Sequence, residues 1–276
     1  MINLSSICTK LHKIRLPCTK VYIIFLSATT CAPEKFAQTT PPPSGPLEWP
    51  EITPGQRVVR HTAFSLVFDT RHRQARWVAY VLTAARAKGS EPRSNRFYPD
   101  PQLPALTATD ADYRKSGYDR GHLVPAADMS WSAEAMRESF YYSNISPQLP
   151  AFNRGIWKKL ESQVRMWAHT DSVLYVVTGP VLTDTLKNLV GSGVTVPDYF
   201  FKALLVYRPG HKKCIGFILR NERSDRPLQT YAVSIDSLER FTGLNFFAAL
   251  PDDEEEHLEK SVCIPCWQFK AFALAK

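Results

Sequence analysis

From His61 onward the chain begins to alternate. HTAFSLVFD (61–69) sets apolar residues against polar ones and is rich in β-forming types. A polar segment, TRHRQAR, follows it, and WVAYVLTA (77–84) answers it, so the pair predicts a β-hairpin. SVLYVVTGP, YFFKALLVY and KCIGFILR are apolar runs of strand length, which predicts strands buried on both faces. Helical spacing appears elsewhere. Ile156, Leu160, Val164 and Trp167 fall three or four apart, predicting a helix over 154–168. Ser132 is placed to cap a shorter helix running to Phe140, and SIDSLERFTG predicts another that ends at Gly243. Strands and helices mix without a βα alternation. That predicts one α+β domain around a central, largely antiparallel sheet.

The remaining segments lack such periods. Residues 32–56 are Pro-rich with little periodic hydrophobicity and read as an extended, solvated tether, which leaves 57–276 for the domain. Residues 89–117 form a polar, Pro-containing stretch long enough to suggest a functional loop. Residues 1–31 carry Lys10, Lys13, Arg15 and Lys20, then the apolar run 21–26, then small residues before Cys31. This is the layout of an export signal, with Cys31 in the place of a lipidated cysteine; the apolar run is too short to span a bilayer as a helix. The expectation is an exported bacterial envelope protein, periplasmic, lipid-anchored at Cys31 or secreted, without a transmembrane helix in the mature chain. A mitochondrial targeting leader is the alternative.

Charge sharpens this only slightly. The chain carries +8, and +4 without the four basic leader residues. The acidic run at 252–256 hides a basic remainder, which suits a polyanionic partner. Beyond the leader stand Cys214, Cys263 and Cys266; a bridge from Cys214 to Cys263 or Cys266 is expected, and a single CxxC is a poor zinc site.

Two stretches carry the chemistry: YDRGHLVP (118–125) and NRGIWKKLE (153–161). His122 lies within three positions of Asp119 and Arg120, and an imidazole in an exposed turn suits a general base. Asn153, Trp157 and Glu161 stand at i, i+4 and i+8, so a regular helix would present all three on one side. Glu161 would then lie about 12 Å along the axis from Asn153, too far for both to grip one ion. Because helical side chains lean toward the N-terminus, Glu161 could still reach an ion's water. An amide oxygen with waters is a hard environment that suits Mg²⁺. Asn153 can equally be a helix N-cap, and Trp157 is most simply core.

Asp119-Arg120-Gly121-His122, then Asn144-Ile145-Ser146-Pro147-Gln148, then Phe152-Asn153 through Trp157 to Glu161 together resemble the DNA/RNA non-specific endonuclease family. The resemblance runs over roughly residues 57–260. It implies a ββα-metal motif in which His122 ends the second strand and acts as general base. Asn153 would be the sole direct protein ligand of a hydrated Mg²⁺, with Mn²⁺ as substitute, and Glu161 would hold the ion's water shell. Asn144 would hydrogen-bond within the site, and Arg96 would contact the phosphate, with Arg93 as its alternative. Arg120 would buttress the site, while Asp119 is as readily structural as catalytic. The implied substrates are DNA and RNA, double- or single-stranded, held by the phosphate backbone and cut to leave a 5′-phosphate; a homodimer is also implied. The rival readings are a protein that binds nucleic acid on this fold without cutting, and a phosphodiesterase of small substrates.

Other candidates have plainer readings. The run 252–256 is a solvated helical face, because consecutive carboxylates point in different directions. His61, His72, His169 and His211 receive no role, and Tyr141, Tyr142, Phe200 and Phe201 belong to the core. Lys158 and Lys159 are a solvated pair that could touch backbone phosphates.

Overall fold

The computed structural model describes residues 45–270. The leader and Cys31 lie outside the described residues. In chain order the elements are β1 (Val58–Arg60), β2 (Phe64–Asp69), β3 (Gln74–Thr83), α1 (Asp110–Tyr113), β4 (Asp119–His122), α2 (Ala133–Ser139) and β5 (Ile145–Gln148). There follow α3 (Lys158–Asp171), β6 (Val173–Pro180), β7 (Tyr199–Arg208), β8 (His211–Arg220), β9 (Ala232–Val233), α4 (Ile235–Thr242) and α5 (Asp252–Glu259). Seven strands form one sheet in the order β1-β2-β3-β6-β7-β8-β9, and every neighbouring pair is antiparallel. The α+β expectation and the hairpin of β2 with β3 are both met.

Successive strand residues point to opposite faces, and the two faces build two cores. Phe200, Leu204 and Val206 of β7 meet Leu160, Val164 and Trp167 of α3 on one side. Phe201, Ala203 and Leu205 meet Ile235 and Leu238 of α4 on the other. The apolar spacing in α3 is therefore its core stripe, as expected. Ser132 caps α2 by accepting from the Ala135 amide at 3.3 Å. Tyr141, Tyr142, Phe200 and Phe201 are all buried. Among the described residues no helix is long and apolar enough to cross a membrane.

The domain begins earlier than its periodicity suggests. Leu47 is buried and Trp49 packs beside it, against Leu244, Phe246 and Leu250. The Glu51 amide donates to the Asn245 carbonyl at 2.8 Å, and Arg60 lies 4.7 Å over the Trp49 ring. The second half of the proposed tether is thus a strap with its own anchors. The cysteine pairing also differs from expectation. Cys263 is bonded to Cys266, and Cys214 is free and buried, its Sγ donating to the Leu258 carbonyl at 2.9 Å.

Candidate active site

β4 and β5 pair apart from the large sheet, in the register Asp119↔Gln148 to His122↔Ile145. With α3 they make a ββα unit. His122 closes the first strand of that pair, not the second. The Gly between Arg120 and His122 has a steric reason: a Cβ at Gly121 would sit 2.3 Å from Cδ of Gln148, whose side chain lies across it. A larger residue there would have to push the buried Gln148 side chain aside.

The chain between β5 and α3 does not continue the helix regularly. Phe152–Trp157 is wound as a π-helical turn, and Gly155 has φ −100 and ψ −110 inside it. The Leu149 carbonyl accepts from both the Phe152 and Asn153 amides at 2.9 Å. Helical arithmetic from Asn153 to Glu161 therefore fails at Gly155. Asn153 is no N-cap either: its Nδ2 donates to Asp119 Oδ2 at 2.9 Å. Asp119 is also gripped in two-pronged fashion by Arg154, at 2.8 and 2.7 Å. Burial raises the Asp119 pKa, but the bonds from Arg154 and Asn153 outweigh it and hold the carboxyl below its ordinary value. With its nitrogen fixed on an ionised Asp119, Asn153 is left with its Oδ1 as an acceptor.

Despite the kink, the key residues converge. One cleft of about 480 Å³ is lined by Arg93, Arg120, His122, Asn153, Arg154, Lys158, Glu161 and Arg165, among others. A second depression of about 510 Å³ shares Arg120 and Asn153 with it and continues past Phe97 and Tyr118. Five of the cleft residues are basic and only Glu161 is acidic, so the cleft is cationic although the chain's net charge is modest.

His122 is buried, not exposed as the turn suggests, and packs against Phe140 and Phe97 at 4.6 and 5.6 Å between ring centroids. Burial first, then Arg93 and Arg120, push its pKa down to about 3. The imidazole is therefore neutral in the unliganded site. Its Nε2 is buried without a partner among the described residues, which leaves Nδ1 to face the cleft.

Two expected residues are placed differently. Asn144 is fully buried and does not line the cleft: its Oδ1 accepts from the Val124 amide, and its Nδ2 donates to the Val124 and Ser139 carbonyls at 3.0 and 2.8 Å. Its amide is used up in holding the chain just beyond His122, so it positions and has nothing left for a phosphate. Arg96 is exposed, lies 5.2 Å over the Tyr98 ring and is not among the cleft residues; Arg93 lines the cleft in its place. Arg120 behaves as a buttress, paired with Asp110 and lying 4.2 Å over Phe97.

A group of buried charges behind the cleft had no signature in the residue pattern. Arg165 donates to Asp128 Oδ1 at 2.8 Å and Tyr80 to Asp128 Oδ2 at 2.7 Å. Lys202, fully buried in the middle of β7, lies 4.8 Å over the Trp157 ring. Burial raises Glu161 and lowers Lys202, and each of the two opposes the other's shift by its charge. A lysine interrupting the apolar run YFFKALLVY was the one available hint.

A neutral imidazole and an amide oxygen with no partner among the described residues share a cationic cleft on a ββα frame, an arrangement that suits a metal-dependent hydrolase of phosphodiesters. The comparisons agree: the profile of the DNA/RNA non-specific endonuclease family matches residues 50–253. The chain belongs to that family and is a nucleic-acid-hydrolysing enzyme. It is 36% identical over 231 residues to the mitochondrial nuclease EXOG of Danio rerio, covering 78% of this chain and 67% of the relative. It is also 36% identical over 199 residues to mitochondrial endonuclease G of Homo sapiens, covering 67% of each. A solved endonuclease G, in complex with the inhibitor EndoGI, superposes with a TM-score of 0.67 at 30% identity, over 73% of this chain and 89% of that one. The expectation of a bacterial envelope protein does not survive. Relatives from fish, cattle, human and fission yeast are mitochondrial nucleases, which overturns it.

Proposed function

We propose that this chain is a Mg²⁺-dependent endonuclease that cuts phosphodiester bonds in both DNA and RNA and leaves 5′-phosphates. The observation that supports this best is the meeting of His122, Asn153 and Glu161 with Arg93 and Arg120 around one cleft. The donor set fits a hard, largely hydrated cation: Asn153 Oδ1 is left as an acceptor, Glu161 shares the cleft, and no soft ligand lines it. Asn153 would hold the ion directly and Glu161 its water shell. When bound, the ion supplies charge neutralisation at the phosphate and the leaving 3′ oxygen.

The protein's own groups do the rest. Arg93 receives the phosphate, Arg120, held by Asp110, adds positive potential beside it, and Arg154 and Lys158 extend the cationic surface along the backbone. His122 Nδ1 takes a proton from the attacking water. A base pushed down to about 3 is weak in the free enzyme; a bound phosphate offsets the part of that shift due to Arg93 and Arg120, and burial accounts for the rest. Nothing in this set reads a base edge, so any sequence preference comes from groove shape and backbone deformability. The names of the relatives, and a leader with four basic residues and no acid before Glu34, support a mitochondrial location.

The test uses the full chain and His122→Ala on supercoiled plasmid and single-stranded RNA, with Mg²⁺ or EDTA. Both substrates should be degraded, EDTA should stop this, and the substitution should lower turnover by roughly 10²–10⁴-fold. Intact substrates in the presence of Mg²⁺ and Mn²⁺ would leave a binding role only. A fluorescent fusion that stays outside mitochondria would defeat the location.

A further inference from the structure

On the face of the sheet away from the cleft, three carboxylates meet without a base. Asp236 and Glu239 stand one turn apart on α4, and Glu259 ends α5. One carboxylate oxygen from each lies within 4.8 Å of the other two. Glu259 is only 3% exposed, and its Oε1 is buried with no hydrogen-bond partner among the described residues. Glu239 uses Oε1 to accept from the Phe246 amide at 2.7 Å, which leaves its second oxygen for the cluster. The neighbouring bases are engaged elsewhere: Lys212 with Glu254, Lys213 with Asp171, and Arg240 with the Ser237 hydroxyl.

Taking a carboxylate out of water beside two others is costly unless a positive charge joins them. We propose that Asp236, Glu239 and Glu259 form a binding site for a divalent cation of the Ca²⁺ type, separate from the catalytic centre. The donor set is all oxygen, which suits a hard cation. Ca²⁺ binds oxygens at about 2.3–2.6 Å, so ligands on opposite sides of it stand about 5 Å apart, whereas Mg²⁺ requires about 4 Å. Three carboxylate oxygens within 4.8 Å of one another, drawn from two separate helices, suit the flexible coordination that Ca²⁺ accepts and Mg²⁺ does not. Because two ligands come from α4 and one from α5, the ion ties those helices together over β8, where Cys214 sits beneath Leu258. Its role is to hold the back of the sheet.

A proton is the competing occupant, since burial first, and then Glu239, Glu255 and Asp236, push Glu259 up to about 9. The experiment separates the two. Full chain carrying Asn153→Ala, which removes the direct ligand at the cleft, is stripped with EDTA and exchanged into chelator-free buffer. CaCl₂ and MgCl₂ are then titrated in by calorimetry, and thermal unfolding is followed with and without each. The expected result is one Ca²⁺ per chain, bound at least tenfold more tightly than Mg²⁺, with a rise in Tm. Adding Glu259→Gln should weaken Ca²⁺ at least tenfold and abolish the rise, yet leave Tm in EDTA unchanged or higher, because the amide replaces a protonated acid. Asp236→Asn serves as the second variant should Glu259→Gln fail to fold. Absence of Ca²⁺ binding at millimolar concentration, equal affinity for Mg²⁺, or binding untouched by both variants would overturn the proposal.

Discussion

Behind the cleft, on the α3 face of the sheet, Asp128 and Glu161 are set beside Arg165 and Lys202. Under α4 and α5, on the opposite face, Asp236, Glu239 and Glu259 are gathered with none of them in an ion pair among the described residues, only Arg240 opposing Glu239's shift by its charge. The two groups lie on either side of the same strands, yet only the first is neutral by its own composition. Two acids and two bases, with Tyr80 added as a donor, balance one another in charge, although Lys202 Nζ has no hydrogen-bond partner among the described residues. Such a group can serve as rigid backing for Glu161 and the floor of the cleft. The second group is balanced only when a solute joins it. The comparison suggests that self-balanced charges support geometry, while unbalanced ones record a dependence on solvent composition.

The comparison can be broken most easily at Asp128. Asp128→Ala leaves Arg165 partly buried and Tyr80 without its acceptor, and should cost about 3–5 kcal/mol. That is a fall of roughly 10 °C in Tm for a domain of this size, read by circular dichroism. If Asp128→Ala melts within 2 °C of the wild type, the backing role is lost.

Acid should come next in effect, acting through His122. Its folded pKa is depressed to about 3, against about 6.5 when unfolded, so the unfolded chain binds the proton first as pH falls. The stability it confers is complete above about 6.5 and is lost progressively toward 3. Urea unfolding of wild type and His122→Gln at pH 7 and 4.5 should show the wild type losing about 2–3 kcal/mol more than the variant. Equal losses would mean the imidazole is solvated after all.

Gly121→Ala tests the frame itself. Its Cβ would be forced into Gln148, so a cost of about 1–3 kcal/mol is expected, with turnover falling by more than stability explains. Full activity in the folded variant would show that the Gln148 side chain can move aside harmlessly. The smallest effect belongs to the surface of α5. Lys212→Ala removes a partly exposed 2.6 Å pair with Glu254 and should cost less than about 1 kcal/mol in a denaturation curve. A larger loss would make that rim part of the acidic group.

Much of this was legible in the residues, for identifiable reasons. Alternation and apolar runs gave β2, β3, β6, β7 and β8, because a sheet covered on both faces leaves little room for polar residues. The spacing of Ile156, Leu160, Val164 and Trp167 is set by a single core stripe. That His122, Asn153 and Glu161 line one cleft could be anticipated because short-range patterns mark them. Arg93 and Arg96 could not be separated, since an irregular loop has no period from which to deduce direction. Asn144 misled for a related reason: an amide close to a site in sequence can spend all its bonds on the backbone. Gly155 hid a change of helical winding, and the pairing of Asp128 with Arg165 and the nearness of Lys202's charge to Glu161 depend on contacts across the fold that no local window contains. Leu47 and Trp49 went unseen because two apolar residues among prolines make no pattern until their partners arrive.

Those partners arrive late. The strap at 47–51 is anchored by Leu244, Asn245, Phe246 and Leu250, and its side-chain bond from Asn245 to Glu51 spans 194 positions of chain. During synthesis the strap leaves the ribosome first and must wait, unsatisfied, until almost the entire domain has followed. A chain cut short before residue 244 leaves Leu47 and Trp49 without the apolar partners that cover them in the finished domain.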